Sequence, residues 1–187
     1  MNGLPGNSAS LPRFASRIRF VDKGEFNRHV RSGYRVPDDY TCSWTMLDRV
    51  KGPRAWTDGG EVCLIGTMTN GKDVVMFHLL PDEELHLGPK AWRTLTERLE
   101  ADYRELRKAG GPVRGFLWGG MEPSANYDTS RVRNSVPLFE RVQSFFAERD
   151  NPCTSIGRNR RLIVRDAAYD VKTDTFTLCG TVDTCGY

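Results

Sequence analysis

Long hydrophobic runs are missing from this 187-residue chain, and none is long enough to span a bilayer. The N-terminus lacks the charged-then-apolar pattern of a cleaved signal peptide. These two absences predict a cytoplasmic protein, or one secreted into a host cell without a cleaved signal peptide. No internal repeat is visible, and no C-x-x-C pair occurs among the five cysteines. The three histidines do not flank the cysteines at zinc-site spacing, so no metal site is expected. An odd cysteine count with no signal pattern also argues against a disulfide framework. Charge of one sign is scarce: 27 basic residues stand against 24 acidic, a net +3. That excess does not imply nucleic acid. The cluster Arg158-Asn159-Arg160-Arg161 reads as a solvated face.

What is present is the composition of a globular protein: 39% hydrophobic, 27% charged, mean hydropathy −0.52. The length suits one domain that can bury a core without staples. Residues 1–16, rich in Asn, Gly, Ser and Pro, are expected to form a disordered N-terminal tail, leaving 17–187 as a single domain. A short strand is expected over 17–21, a short helix over 23–32, and a strand within 40–50. The Gly- and Pro-broken stretch 51–60 reads as a loop.

The strongest local signal is a hairpin. Residues 61–68 and 72–80 are rich in β-formers and are separated by Asn70-Gly71. A helix is expected over 89–109, where Trp92, Leu95, Leu99, Tyr103 and Leu106 make one stripe and Gly110-Gly111-Pro112 stops it. A strand over 113–118, a helix over 136–149 capped by Asn134 or Ser135, and strands over 161–171 and 175–181 follow. The expected fold is α+β, an α/β sandwich with a largely antiparallel sheet and two main helices.

Hairpin arithmetic singles out one pair. With Asn70 and Gly71 as a two-residue loop, Thr69 faces Lys72, Thr67 faces Val74, Ile65 faces Met76 and Cys63 faces His78. Such opposed residues have Cβ atoms about 4.5–5.5 Å apart on one face. An imidazole beside a thiol can take its proton and make a nucleophilic thiolate. A third group must then orient the imidazole, and Thr57 or Asp58 in the preceding loop could reach it. The competing reading is a buried, inert cysteine in an apolar hairpin. Cys42 is a rival nucleophile; Cys153, Cys179 and Cys185 have no histidine near them in sequence, and His86 sits among acidic residues as a surface side chain.

Thr57, Cys63 six residues later and His78 fifteen beyond that resemble the site of glutamine deamidases. That group includes the bacterial chemoreceptor deamidase CheD and the catalytic domains of cytotoxic-necrotizing-factor-like toxins. Met76-Phe77-His78-Leu79-Leu80-Pro81 and Gly115-Phe116-Leu117-Trp118-Gly119-Gly120 resemble the segments around the histidine and the Phe-Gly-Gly strand of CheD. The resemblance covers roughly residues 55–180, mostly by the order of elements. Gly60-Glu61-Val62 precedes the cysteine where those families carry a small residue. The resemblance implies hydrolysis of a Gln side-chain amide to Glu on a partner protein, such as a host signalling protein, by Cys63, His78 and Thr57. No cofactor is implied. Alternatives are a non-catalytic interaction domain of the same fold, or a Cys–His transglutaminase or protease.

Overall fold

The computed structural model describes residues 17–35, 43–46, 54–58, 60, 62–81, 87–120, 129–149, 153–156 and 162–182. The expected tail, Cys42, His86 and Cys185 lie outside the described residues. In chain order the elements are β1 (Arg17–Val21), α1 (Lys23–Val30), β2 (Tyr34–Arg35), β3 (Ser43–Met46) and β4 (Arg54–Thr57). The hairpin strands β5 (Leu64–Thr69) and β6 (Val74–Leu79) follow, then α2 (Pro89–Lys108), β7 (Arg114–Gly119) and α3 (Ser130–Ala147). β8 (Cys153–Ile156), β9 (Leu162–Asp170) and β10 (Thr175–Val182) complete the order.

The fold is α+β, with strands in two five-stranded sheets where the sequence suggested one. The first has the order β1-β10-β9-β4-β2 and the second β3-β6-β5-β7-β8. Most pairings are antiparallel; β1/β10, β2/β4 and β7/β8 are parallel.

Side-chain alternation along the strands sorts these elements into four layers. Leu64, Met68, Val75, Phe77 and Leu79 turn from the second sheet toward Leu95, Leu99 and Leu106 of α2 and Leu138, Phe139, Val142 and Phe146 of α3. The opposite face of that sheet contributes Ile65, Val74, Met76, Phe116 and Trp118 to a layer shared with the first sheet. There they meet Ala55, Val164, Ala167, Tyr169, Phe176 and Leu178. Phe176 sits at the centre of this layer, 4.4 Å from Phe116, 4.5 Å from Tyr169 and 4.9 Å from Trp118 between ring centroids. The outer face of the first sheet is covered by α1 through Phe26 and Val30.

Two expectations are corrected. Residues 54–57 form β4, not a loop. Arg54-Ala55-Trp56-Thr57 alternates half-buried and buried along β9. The second main helix starts at Ser130 and is capped by Thr129, whose Oγ1 accepts from Val132 N at 3.3 Å. Pro137 lies inside it, exposed, and Ser135 Oγ donates back to Val132 O at 2.8 Å instead of capping. The other main helix matches its sequence pattern: Pro89 opens it and Gly110 and Gly111, at φ +100° and +94°, follow its end. Among the described residues no helix is long and apolar enough to cross a membrane.

One polar residue interrupts the buried stripe of α2. Asp102 lies between Leu99 and Leu106 at helical spacing. Burial pushes its carboxyl up to about 6, against the pull of Arg98 and with a further push from Glu105. The folded state therefore holds a proton that the unfolded chain releases near pH 3.9. Stability falls as pH rises from about 4 through about 6, and the loss is complete above that window. After allowance for solvent screening, Asp102→Asn is expected to gain about 1–2 kcal/mol at pH 7.5 and little at pH 4. Urea unfolding at both pH values measures this; an equal gain at both would contradict it.

Candidate functional site

The hairpin loop decides which residues face each other. Asn70 Oδ1 accepts from Lys72 N at 2.9 Å and Asp73 N at 2.8 Å, and Thr69 Oγ1 donates to Asp73 O at 2.8 Å. Gly71 sits at φ +84°. The loop therefore runs over four residues, 70–73, and Thr69 pairs with Val74. Counting back, Ile65 pairs with His78. The expected Cys63–His78 cross-strand pair is corrected by this register, which is displaced by two residues. A two-residue displacement keeps each side chain on its face. Cys63 sits at a bend just before β5, outside the ladder that pairs Ile65 with His78.

His78 belongs to the face of β6 that looks into the layer between the sheets, together with Val74 and Met76. Thr57 closes β4 of the opposite sheet on the same face as Ala55. Across that layer Thr57 Oγ1 and His78 Nδ1 are 2.9 Å apart and hydrogen-bonded. Both side chains are sealed, Thr57 at 0% and His78 at 3% exposure. Of the two candidates for orienting His78, the bond belongs to Thr57. Asp58 turns to solvent instead and pairs with Arg35 at 2.6 Å. Thr57 escapes a loop reading because it is placed by β4, whose partner β9 lies more than 100 residues downstream.

Thr57 ends a strand of the first sheet and Leu64 begins one of the second, at the same end of the sandwich. Two backbone hydrogen bonds hold the chain there: Gly60 N to Arg165 O at 2.7 Å, and Gly120 N to Cys63 O at 3.2 Å. Gly119, at φ +88°, brings its backbone so close to Cys63 that a Cβ there would overlap the Cys63 carbonyl oxygen. Only glycine satisfies both the left-handed backbone and this approach. Gly119-Gly120 thus holds the main chain of Cys63, whose side chain is half-buried. Thr57, His78 and Cys63 are brought to one end of the sandwich by β4, β6 and the start of β5.

The other described cysteines are poor nucleophiles. Burial pushes the Cys153 thiol up to about 12. Cys179 is also raised, first by burial and then by Asp166. His29 lies on α1 with Nε2 3.2 Å from Thr177 Oγ1, and burial and Arg54 lower its basicity. Among the described residues no group of His, Cys, Asp and Glu is arranged to hold a metal ion. Compared with known protein families and with curated proteins, the chain has no match.

Removing the Thr57 hydroxyl leaves His78 Nδ1 without its partner in a sealed layer. Thr57→Val is expected to cost about 1–3 kcal/mol. For a domain of this size that lowers Tm by roughly 2–4 °C per kcal/mol. Calorimetry checks this, and an unchanged Tm would mean that the bond contributes nothing to the pairing of the sheets.

Proposed function

We propose that the chain is a protein glutamine deamidase in which Cys63 is the nucleophile, His78 its base and Thr57 the group that orients the imidazole. The observation that carries this reading is the 2.9 Å hydrogen bond between Thr57 Oγ1 and His78 Nδ1. The sequence resemblance asks for that contact between residues 21 positions apart in different elements. The half-buried Cys63 adds a thiol at the same end of the sandwich.

The chemistry follows from the tautomer. With Nδ1–H donating to Thr57 Oγ1, Nε2 is the basic nitrogen of His78. It takes the proton of the Cys63 thiol, and the thiolate attacks the carboxamide carbon of a glutamine side chain. The C=O electron pair moves to oxygen, where backbone N–H groups near Cys63 stabilise it. Gly120 N–H is not one of these donors, being engaged by the Cys63 carbonyl. His78 then protonates the nitrogen as the C–N bond breaks and ammonia leaves. Water, deprotonated by His78, attacks the thioester carbon. The C–S bond breaks, Glu is released, and the proton returns to sulfur. An amine in place of water would give transglutamination from the same thioester.

A second reading is favoured by burial: Thr57 and His78 are a closed polar pair inside an apolar layer, with Ile65 and not Cys63 opposite His78. On that reading the domain is a non-catalytic binding module. Iodoacetamide labelling with site mapping separates the two. The deamidase reading expects fast labelling of Cys63 near pH 7, slowed in His78→Ala. Unreactive Cys63 in the native protein favours the binding module.

For activity, ammonia release and a mass gain of about one dalton on a glutamine-bearing protein substrate are the readouts, with the substrate chain left uncut. Cys63→Ala and His78→Ala are each expected to reduce the rate by about 10³-fold or more. Thr57→Val is expected to lower kcat by up to about 10²-fold with KM little changed, because it disturbs orientation and not binding. Full activity in Cys63→Ala would overturn the assignment.

A further inference from the structure

β1 is the terminal strand of its sheet among the described strands, bonded on one side to β10 and on the other to no described strand. A free strand edge is a row of N–H and C=O groups that another strand can complete. Natural edges are kept short or covered; β2 at the far side of the same sheet has two residues, whereas β1 has five. β1 also carries the exposed large apolar side chains among the described residues, Ile18 at 41% and Phe20 at 53%. Both continue the inter-sheet face, in register with Phe176 and Leu178 of β10. The alternate residues, Arg17 and Arg19, lie on the α1 face.

Charge on that face says what kind of strand fits. Residues 17–35 hold six basic and two acidic side chains, a net +4, where the whole chain has +3. The segment that builds β1 and α1 is therefore net cationic. Arg28 and Arg31 of this segment are exposed, while Lys23 pairs with Asp166 at 2.8 Å and Arg19 with Glu25.

We propose that the β1 edge is a docking site for an extended segment of a partner protein in which acidic and apolar residues alternate. Main-chain hydrogen bonds to β1 add it as a further strand. Its apolar side chains cover Ile18 and Phe20, and its acidic side chains meet the cationic face formed with α1. The proposal is independent of the chemistry at Cys63.

The test uses the full chain and a fluorescein-labelled peptide of alternating Glu and Val, with a Lys–Val peptide as control. Fluorescence anisotropy is expected to show saturable binding of the Glu–Val peptide with Kd of about 10–100 µM, weakened about tenfold or more in 0.5 M salt. The Lys–Val peptide is expected not to bind. The double variant Ile18→Lys, Phe20→Lys should lose binding at least about tenfold while keeping its circular dichroism. Independently of that variant, amide NMR shifts of residues 17–21 in the wild type should move on titration with the Glu–Val peptide. Absence of binding, equal binding of both peptides, or shifts confined elsewhere overturns the proposal. So does sedimentation showing that the edge is filled by a second copy of the chain which the peptide does not displace.

Discussion

One hydrogen bond joins the two sheets where apolar contact alone would leave them free to slide. Thr57 Oγ1 and His78 Nδ1 meet at 2.9 Å in a layer otherwise filled by Ile65, Met76, Trp118, Ala167, Phe176 and Leu178. Apolar packing is non-directional and tolerates small displacements, whereas a sealed donor or acceptor without its partner costs about 1–3 kcal/mol. The bond therefore selects one alignment of β4 over β6. At the opposite end a second polar tie acts on the same two sheets. Arg114 of β7 binds Asp174 through two nitrogens at 3.1 Å, and Tyr169 Oη donates to the same carboxylate at 2.7 Å. Asp174 stands in the β9–β10 turn at φ 50°, so the turn that joins two strands of one sheet also grips the other sheet. With both ends tied, the apolar layer supplies the burial and the polar groups supply the register.

The same arrangement explains why the site is compact in space although it is scattered in sequence. β4 must reach β9 before Thr57 has a position, and β9 lies far downstream. Gly119 and Gly120, more than fifty residues after Cys63, hold the carbonyl of Cys63 by close backbone approach and a hydrogen bond. Thr57 and Cys63 are thus placed by long-range contacts, whereas His78 is placed by the local β5–β6 hairpin. The price of the arrangement is tolerance: Gly119 can carry no side chain, and a shift of the hairpin by one residue would turn His78 away from Thr57.

Much of the fold was legible because its signals are local. The α2 stripe, the Pro89 start, the Gly110-Gly111 stop, the β5–β6 hairpin and the β9–β10 hairpin all depend on residues near one another in sequence. The errors fall where a distant partner decides, as at β4, or where side-chain bonds at a cap or turn do. Arg54–Thr57 looks like a loop between Gly52-Pro53 and Gly59-Gly60 until β9 pairs with it, and Asn134 or Ser135 looks like the cap until Thr129 caps the helix earlier. The division of the strands into two sheets was not legible, because the inter-sheet face and the helix-facing face of β5 and β6 are both apolar. His78 was singled out by a hairpin register that the structure displaces, and Thr57 by the family resemblance; the structure bonds His78 to Thr57, while Asp58 pairs with Arg35. The partner of His78 across the hairpin was misplaced by two residues. Asn70-Gly71 signals a turn, but the side-chain bonds of Thr69 and Asn70 extend it to four residues, which sequence pattern alone does not reveal.

The β1 edge and the buried Thr57–His78 pair are linked by one row of the first sheet. Thr57 is paired with Ala167, Ala167 with Leu178, and Leu178 with Phe20. Three steps between neighbouring strands put Phe20 about 14 Å from Thr57. β1 and β4 also run in the same direction, so both end where the chain crosses toward Cys63. An extended chain advances about 3.3 Å per residue. A strand bound beside β1 lies one step further out, about 19 Å from Thr57, and on leaving at that end would need about six residues to come level with it. On the deamidase reading, a partner docked at the β1 edge would carry its glutamine at least that far from its acidic–apolar segment. Arg17 and Arg19 point to the other side of the sheet from His78, so the cationic face attracts the segment without placing a charge beside the imidazole. The strand's alternation thus separates recognition by charge on one face from the apolar layer and its single histidine on the other.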